Sequence, residues 1–143
     1  MTDGVSHFNP STSFIDEQLH STLNWLRDNR INVAIISPTP YTYPTDIGAC
    51  TRKALWRSLS PSRCNFYKAD TNNEYRSFME YAKERSDFYP FFDLSKITCP
   101  NGQCLSTIDS TILYRDWGHL SIDGSIEIGK NDSFVSFINN SLN

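Results

Sequence analysis

From Thr111 to Gly124 the chain passes from an apolar run through a short polar loop into an amphipathic stretch, and no other segment restricts the fold as tightly. Thr111-Ile112-Leu113-Tyr114 reads as a strand, and Ser121 stands where a helix N-cap belongs. Between them lie Arg115-Asp116-Trp117-Gly118-His119-Leu120, with an aspartate three residues before a histidine. A loop this short turns the Asp116 carboxylate onto Nδ1 of His119 and leaves Nε2 free to take a proton from a nucleophile. That is the base-and-orienter half of a Ser-His-Asp arrangement. The same spacing also suits an ordinary hydrogen-bonded surface pair, so the weight falls on what surrounds it.

The other segments alternate helix and strand. Phe14 to Arg30 reads as a helix, with Ile15, Leu19, Leu23 and Leu26 on one stripe and acids before bases along its length. Ile31 to Ile36 is a β-branched run closed by Ser37-Pro38-Thr39-Pro40, the profile of a buried parallel strand. Pro38 to Asp70 is a long loop rich in Pro, Tyr, Ser and Thr, with a short helix expected at Thr51 to Ser58. Asn73 to Arg85 reads as a helix carrying Tyr75, Phe78, Met79 and Ala82 on one face. Phe88 to Leu94 reads as a short strand that Pro90 demotes towards a sheet edge. A closing helix runs from Ser121 to Leu142, with Phe134, Ile138 and Leu142 as its stripe and Gly129 bending or splitting it. This order belongs to a three-layer α/β domain rather than to a bundle or a sandwich.

At 143 residues, 38% hydrophobic and 13% aromatic, the chain supports one domain with its own core. A net charge of −3, with Lys and Arg scattered along the sequence, argues against nucleic acid or an anionic membrane surface as a partner. No apolar run reaches the ~20 residues of a membrane span. Met1-Thr2-Asp3-Gly4 lacks the basic and apolar start of a signal peptide, so the chain as written reads as soluble and cytoplasmic.

The cysteines pull the other way. They form two sequence-local pairs in loops, Cys50 with Cys64 and Cys99 with Cys104, which suits disulfides in an oxidising compartment. Two other readings stay open: a zinc site recruiting His119, for which only the Cys99/Cys104 gap fits a metal knuckle, and buried free thiols.

Among the remaining candidates, Tyr41 and Tyr43 of the Tyr41-Thr42-Tyr43-Pro44 cluster follow a strand end, where ligands of open α/β sheets bind, although loop packing explains them equally. Trp117 is read as an aromatic cover over His119 or a stacking face for a sugar ring. His7 and His20 are expected to face solvent. The Asp16/Glu17 and Glu80/Glu84 pairs belong to solvated helix faces, with no apolar pocket to split their proton affinities.

Four pieces in this order resemble a single family: the strand ending Ile36-Ser37-Pro38-Thr39-Pro40, the Cys50/Cys64 loop, Cys99-Pro100-Asn101-Gly102-Gln103-Cys104, and Tyr114-Arg115-Asp116-Trp117-Gly118-His119-Leu120-Ser121. They are similar to the C-terminal SGNH domain of acyltransferase-3-type membrane enzymes that O-acetylate bacterial cell-surface polysaccharides. The resemblance covers Phe14 to the C-terminus and leaves 1–13 as an irregular segment. It implies a three-layer, flavodoxin-like α/β domain on the periplasmic side of the inner membrane, with Asp116 and His119 catalytic and disulfides Cys50–Cys64 and Cys99–Cys104. It further implies an acyl donor delivered by a multi-helix membrane domain and a cell-surface glycan acceptor, with no cofactor, metal or nucleic acid.

The sequence departs from that family in one respect. The SGNH nucleophile sits in a Gly-Asp-Ser motif after the first, central strand, and no Gly-Asp-Ser occurs here. Asp3-Gly4-Val5-Ser6-His7 is no substitute, because two preceding residues cannot form the strand that presents a serine on a strained elbow. The expectation is an incomplete sheet lacking the early strands, in the C-terminal part of a longer acyltransferase that is inactive by itself. The alternative is a short protein that reuses the scaffold as a binding module.

Overall fold

The computed structural model describes residues 12–84 and 89–142, and the chain divides into two units, Met1–Val33 and Ala34–Asn143. The expected irregular segment lies outside the described residues except at its end, as do Ser6 and His7. Helix α1, Thr12–Asp28, forms most of the described part of the first unit. It ends in a Schellman-type turn: Arg30 adopts a left-handed φ of 59°, its N–H meets the Arg27 carbonyl, and the Ile31 N–H reaches back to Leu26. His20 is exposed along this helix.

Among the described residues the second unit mixes helices with three two-stranded sheets, an incomplete α/β arrangement. Strand β1, Ile35–Ile36, pairs in parallel with β3, Phe91–Phe92; β2, Phe66–Tyr67, pairs antiparallel with β4, Gln103–Cys104; β5, Thr107–Ile108, and β6, Thr111–Ile112, form a hairpin. The buried parallel strand expected over Ile31 to Ile36 is thus corrected to two residues. The run is β-branched throughout, but only β3 lies beside it among the described residues, and Ile31 and Ile36 are exposed. Pro90 stands just before β3, where it needs no amide donor and its carbonyl accepts the Ile35 N–H.

The helices of this unit are α2, Ile47–Trp56; α3, Asn73–Glu84; α4, Ser95–Thr98; α5, Ile122–Gly129; and α6, Asp132–Leu142. The expected closing helix is therefore two helices, broken after Gly129. Helix α2 starts four residues earlier than the helix expected from Thr51, because Asp46 caps it by accepting the Ala49 N–H at 2.7 Å. Glu80 and Glu84 lie exposed on α3.

Two apolar clusters hold the unit together. Ile47, Phe66, Cys99, Cys104, Leu113 and Tyr114 form one, and Phe92, Leu94 and Ile128 form the other, with Phe134 and Phe137 packed on Phe92. Cys50 is bonded to Cys64 and Cys99 to Cys104. The first bridge ties α2 to the 3₁₀ turn Pro61–Cys64, and the second closes the loop between α4 and β4. With all four thiols in disulfides, the zinc and free-thiol readings fall away. No group of three or more His, Cys, Asp or Glu is placed to hold a metal among the described residues.

Candidate active site

Residues Leu113 and Tyr114 are completely buried, and they aim the loop that follows them. Tyr114 pairs with Leu120 in an antiparallel bridge, the Arg115 N–H reaches the His119 carbonyl at 2.8 Å, and the Ser121 N–H reaches Leu113 at 2.8 Å. The loop 115–119 is thereby closed at its base. Burial pushes the Tyr114 phenol far above its usual proton affinity, so it stays a neutral donor, bonded to the Pro40 carbonyl at 3.1 Å. Ser121 caps α5 by accepting the Gly124 N–H at 2.8 Å and also donates its hydroxyl to the Ile112 carbonyl.

Inside the loop, Asp116 makes the aspartate turn that its spacing encodes. Its Oδ1 accepts the Gly118 N–H at 3.0 Å and the His119 N–H at 2.9 Å. The His119 Nδ1 stands 3.0 Å from both carboxylate oxygens, and Arg115 reaches Oδ2 through Nε and Nη2 at 3.3 Å. The two backbone N–H groups, of Gly118 first and of His119 second, hold the Asp116 carboxyl well below the usual carboxylate range, aided by the His119 ring and Arg115. An ionised carboxylate can only accept, so Nδ1 carries a proton, and in the neutral imidazole Nε2 is then the lone-pair nitrogen. No described residue occupies Nε2 with a hydrogen bond.

His119 lines a cavity of about 560 Å³ together with Trp117, Tyr41, Pro38, Thr39 and Arg115, among others. The Trp117 ring centroid lies 5.6 Å from His119 and 5.3 Å from Tyr41, so the three rings stand side by side. Tyr43 meets Trp117 edge-on at 5.6 Å but lines a separate cavity with Thr45, Arg63 and Asn65. The two aliphatic hydroxyls bordering the His119 cavity, those of Thr39 and Ser125, donate to the carbonyls of Gly118 and Ser121. Neither bonds to the imidazole.

The loop is also clamped from residues far away in sequence. Gly48, at the start of α2, donates its N–H to the Asp116 carbonyl at 3.1 Å. Arg52, one turn on, donates from Nη1 to the Arg115 carbonyl at 2.8 Å. Thr39 holds Gly118 from the β1 side. None of these was expected from the sequence, because a side chain or N–H that meets a backbone carbonyl sixty or more residues away leaves no motif. Pro38 and Thr39 at the end of β1 carried the only hint, in their place beyond a strand's carboxyl end.

This geometry comes with a match to a known family. A family model described as the SGNH domain (fused to AT3 domains) aligns with residues 2–131. The chain belongs to that family. No curated protein and no solved structure matches it significantly. An SGNH domain of this kind is of the acyltransferase or esterase type and is associated with a membrane acyltransferase domain. Among the described residues no helix is long and apolar enough to cross a membrane.

Proposed function

We propose that this SGNH domain contributes the base and its orienter to an O-acyltransferase that passes acetyl groups to hydroxyls of a cell-surface polysaccharide on the periplasmic side of the inner membrane. The observation that carries this reading is the bond of His119 Nδ1 to an ionised Asp116, in a histidine that lines a cavity together with Trp117 and Tyr41. His119 takes the proton of an attacking hydroxyl at Nε2. Asp116 holds the ring in one tautomer and stabilises the imidazolium formed in the step. Trp117 and Tyr41 offer flat apolar faces to a sugar ring. The serine of a Gly-Asp-Ser motif does not occur in these 143 residues, so the chain alone does not complete the triad.

In an acyltransferase that carries this domain together with a Gly-Asp-Ser strand, His119→Ala should abolish acetylation of the polysaccharide while expression and disulfide content stay unchanged. Undiminished acetylation by that variant would remove His119 from the chemistry. A second reading, a binding module without turnover, is favoured by an Nε2 that no described residue engages. It requires the 143-residue chain to bind polysaccharide and Trp117→Ala to abolish that binding.

A further inference from the structure

The basic residues counted as scattered along the sequence are segregated in the fold. Ile47 to Ala69 holds five of the thirteen Lys and Arg residues, Arg52, Lys53, Arg57, Arg63 and Lys68, and none of the sixteen Asp and Glu. Two of the five are occupied: Arg52 by the Arg115 carbonyl, and Lys68 by Asp93 at 3.3 Å. The other three, Lys53, Arg57 and Arg63, make no ion pair among the described residues. They converge instead on a cavity of about 240 Å³ between α2 and the turn Pro61–Cys64, floored by Ala54, Leu59 and Cys50. No carboxylate lines it. Asp46 sits at the opposite end of α2, about 15 Å away at 1.5 Å per residue. Asp70 borders the neighbouring cavity with Arg63 and does not pair with it.

The same end of α2 carries an apolar tip. Trp56, the last residue of the helix, is 83% exposed, and Leu55 and Leu59 beside it are 45% and 41% exposed. Ser58 turns the chain at a left-handed φ of 54°, and the Leu59 N–H returns to the Ala54 carbonyl, so the tip is fixed rather than frayed. An indole with two leucines, next along the chain to Lys53 and Arg57 and sharing through Leu59 the cavity that Arg63 also lines, matches the layering of a lipid interface: apolar groups at the acyl boundary and Lys/Arg at the headgroup phosphates.

We propose that the C-terminal tip of α2 is a docking surface for an anionic phospholipid membrane. Trp56, Leu55 and Leu59 enter the interface, and Lys53, Arg57 and Arg63 meet the lipid phosphates. The net charge of the chain is −3, so the attraction to such a surface is local to this face. The surface owes nothing to the catalytic reading, since none of these residues lines the His119 cavity.

The test is flotation of the oxidised 143-residue chain with vesicles of phosphatidylcholine alone or mixed with phosphatidylglycerol. Binding is expected only to the anionic vesicles and should weaken as salt rises. Lys53→Ala with Arg57→Ala should reduce partitioning roughly 25-fold, about fivefold per cation. Trp56→Ala should reduce it about fivefold. Far-UV circular dichroism unchanged from the parent keeps these variants interpretable, and all three positions are exposed. Absence of binding to anionic vesicles overturns the proposal. So does binding that is indifferent to Trp56→Ala and is displaced by a soluble sulfated polysaccharide, which would assign the cations to a polyanionic glycan instead.

Discussion

Gly48 lies against the backbone of Arg115: a Cβ built on Gly48 would stand 2.4 Å from the Arg115 carbonyl oxygen and 2.5 Å from its carbon. The contact is backbone on backbone, so no side-chain rotation relieves it. Gly48→Ala should therefore lose stability by about 1–3 kcal/mol despite alanine's better helix propensity. It should also displace the Asp116 loop, read as shifted His119 ring signals in NMR. Gly129 is the control, with no atom within 4 Å of its would-be Cβ, and Gly129→Ala should gain about 0.5 kcal/mol in urea unfolding. Equal effects from the two substitutions would mean that α2 does not press on the loop.

Asp116 makes stability depend on pH in a defined direction. Its folded-state proton affinity is lowered by the N–H groups of Gly118 and His119, so the folded chain favours the carboxylate more than the unfolded chain does. The stabilisation is complete above the unfolded value of about 4 and fades as pH falls below it. Parent and Asp116→Asn should thus differ at neutral pH and converge in acid. A gap that widens on acidification would contradict the charge-assisted turn.

On the proposed reading the 143-residue chain holds a base without its nucleophile and should be a poor catalyst. The 143-residue chain should hydrolyse p-nitrophenyl acetate no faster than free imidazole, and His119→Ala should change that rate little. In an acyltransferase holding a Gly-Asp-Ser strand, Asp116→Asn should lower turnover by on the order of 10⁴-fold through the wrong imidazole tautomer. Serine-directed labelling of the 143-residue chain, with His119-dependent turnover, would reveal a nucleophile already present.

The two disulfides should differ in worth. Cys50–Cys64 spans 14 residues and Cys99–Cys104 spans 5. By chain entropy, removing the first costs about 3 kcal/mol and the second roughly 2. Paired Cys→Ala variants compared by chemical unfolding give the order. A larger loss at Cys99–Cys104 would show that burial of that bridge, with Cys104 fully enclosed in the first cluster, outweighs loop length.

Local chemistry was readable from the residues alone. Asp116 and His119 are three apart, and an aspartate's side chain bonds N–H groups two and three residues on, so their juxtaposition needs no distant partner. Ser121 as a cap, the face of α3 and the break at Gly129 follow from the same short-range rules. Tertiary structure alone decided the rest. Ile31 to Ile36 has the composition of a buried strand, yet pairing requires a neighbour, and only Pro90 to Phe92 supplies one among the described residues. Gly48, Arg52 and Thr39 became clamps on the loop because their partners are carbonyls, which every residue carries and no sequence pattern marks. Lys53, Arg57 and Arg63 looked dispersed along the chain. A helix end and a disulfide-tied turn bring them to one cavity, because charge in a fold is arranged by distance in space and not by separation in sequence.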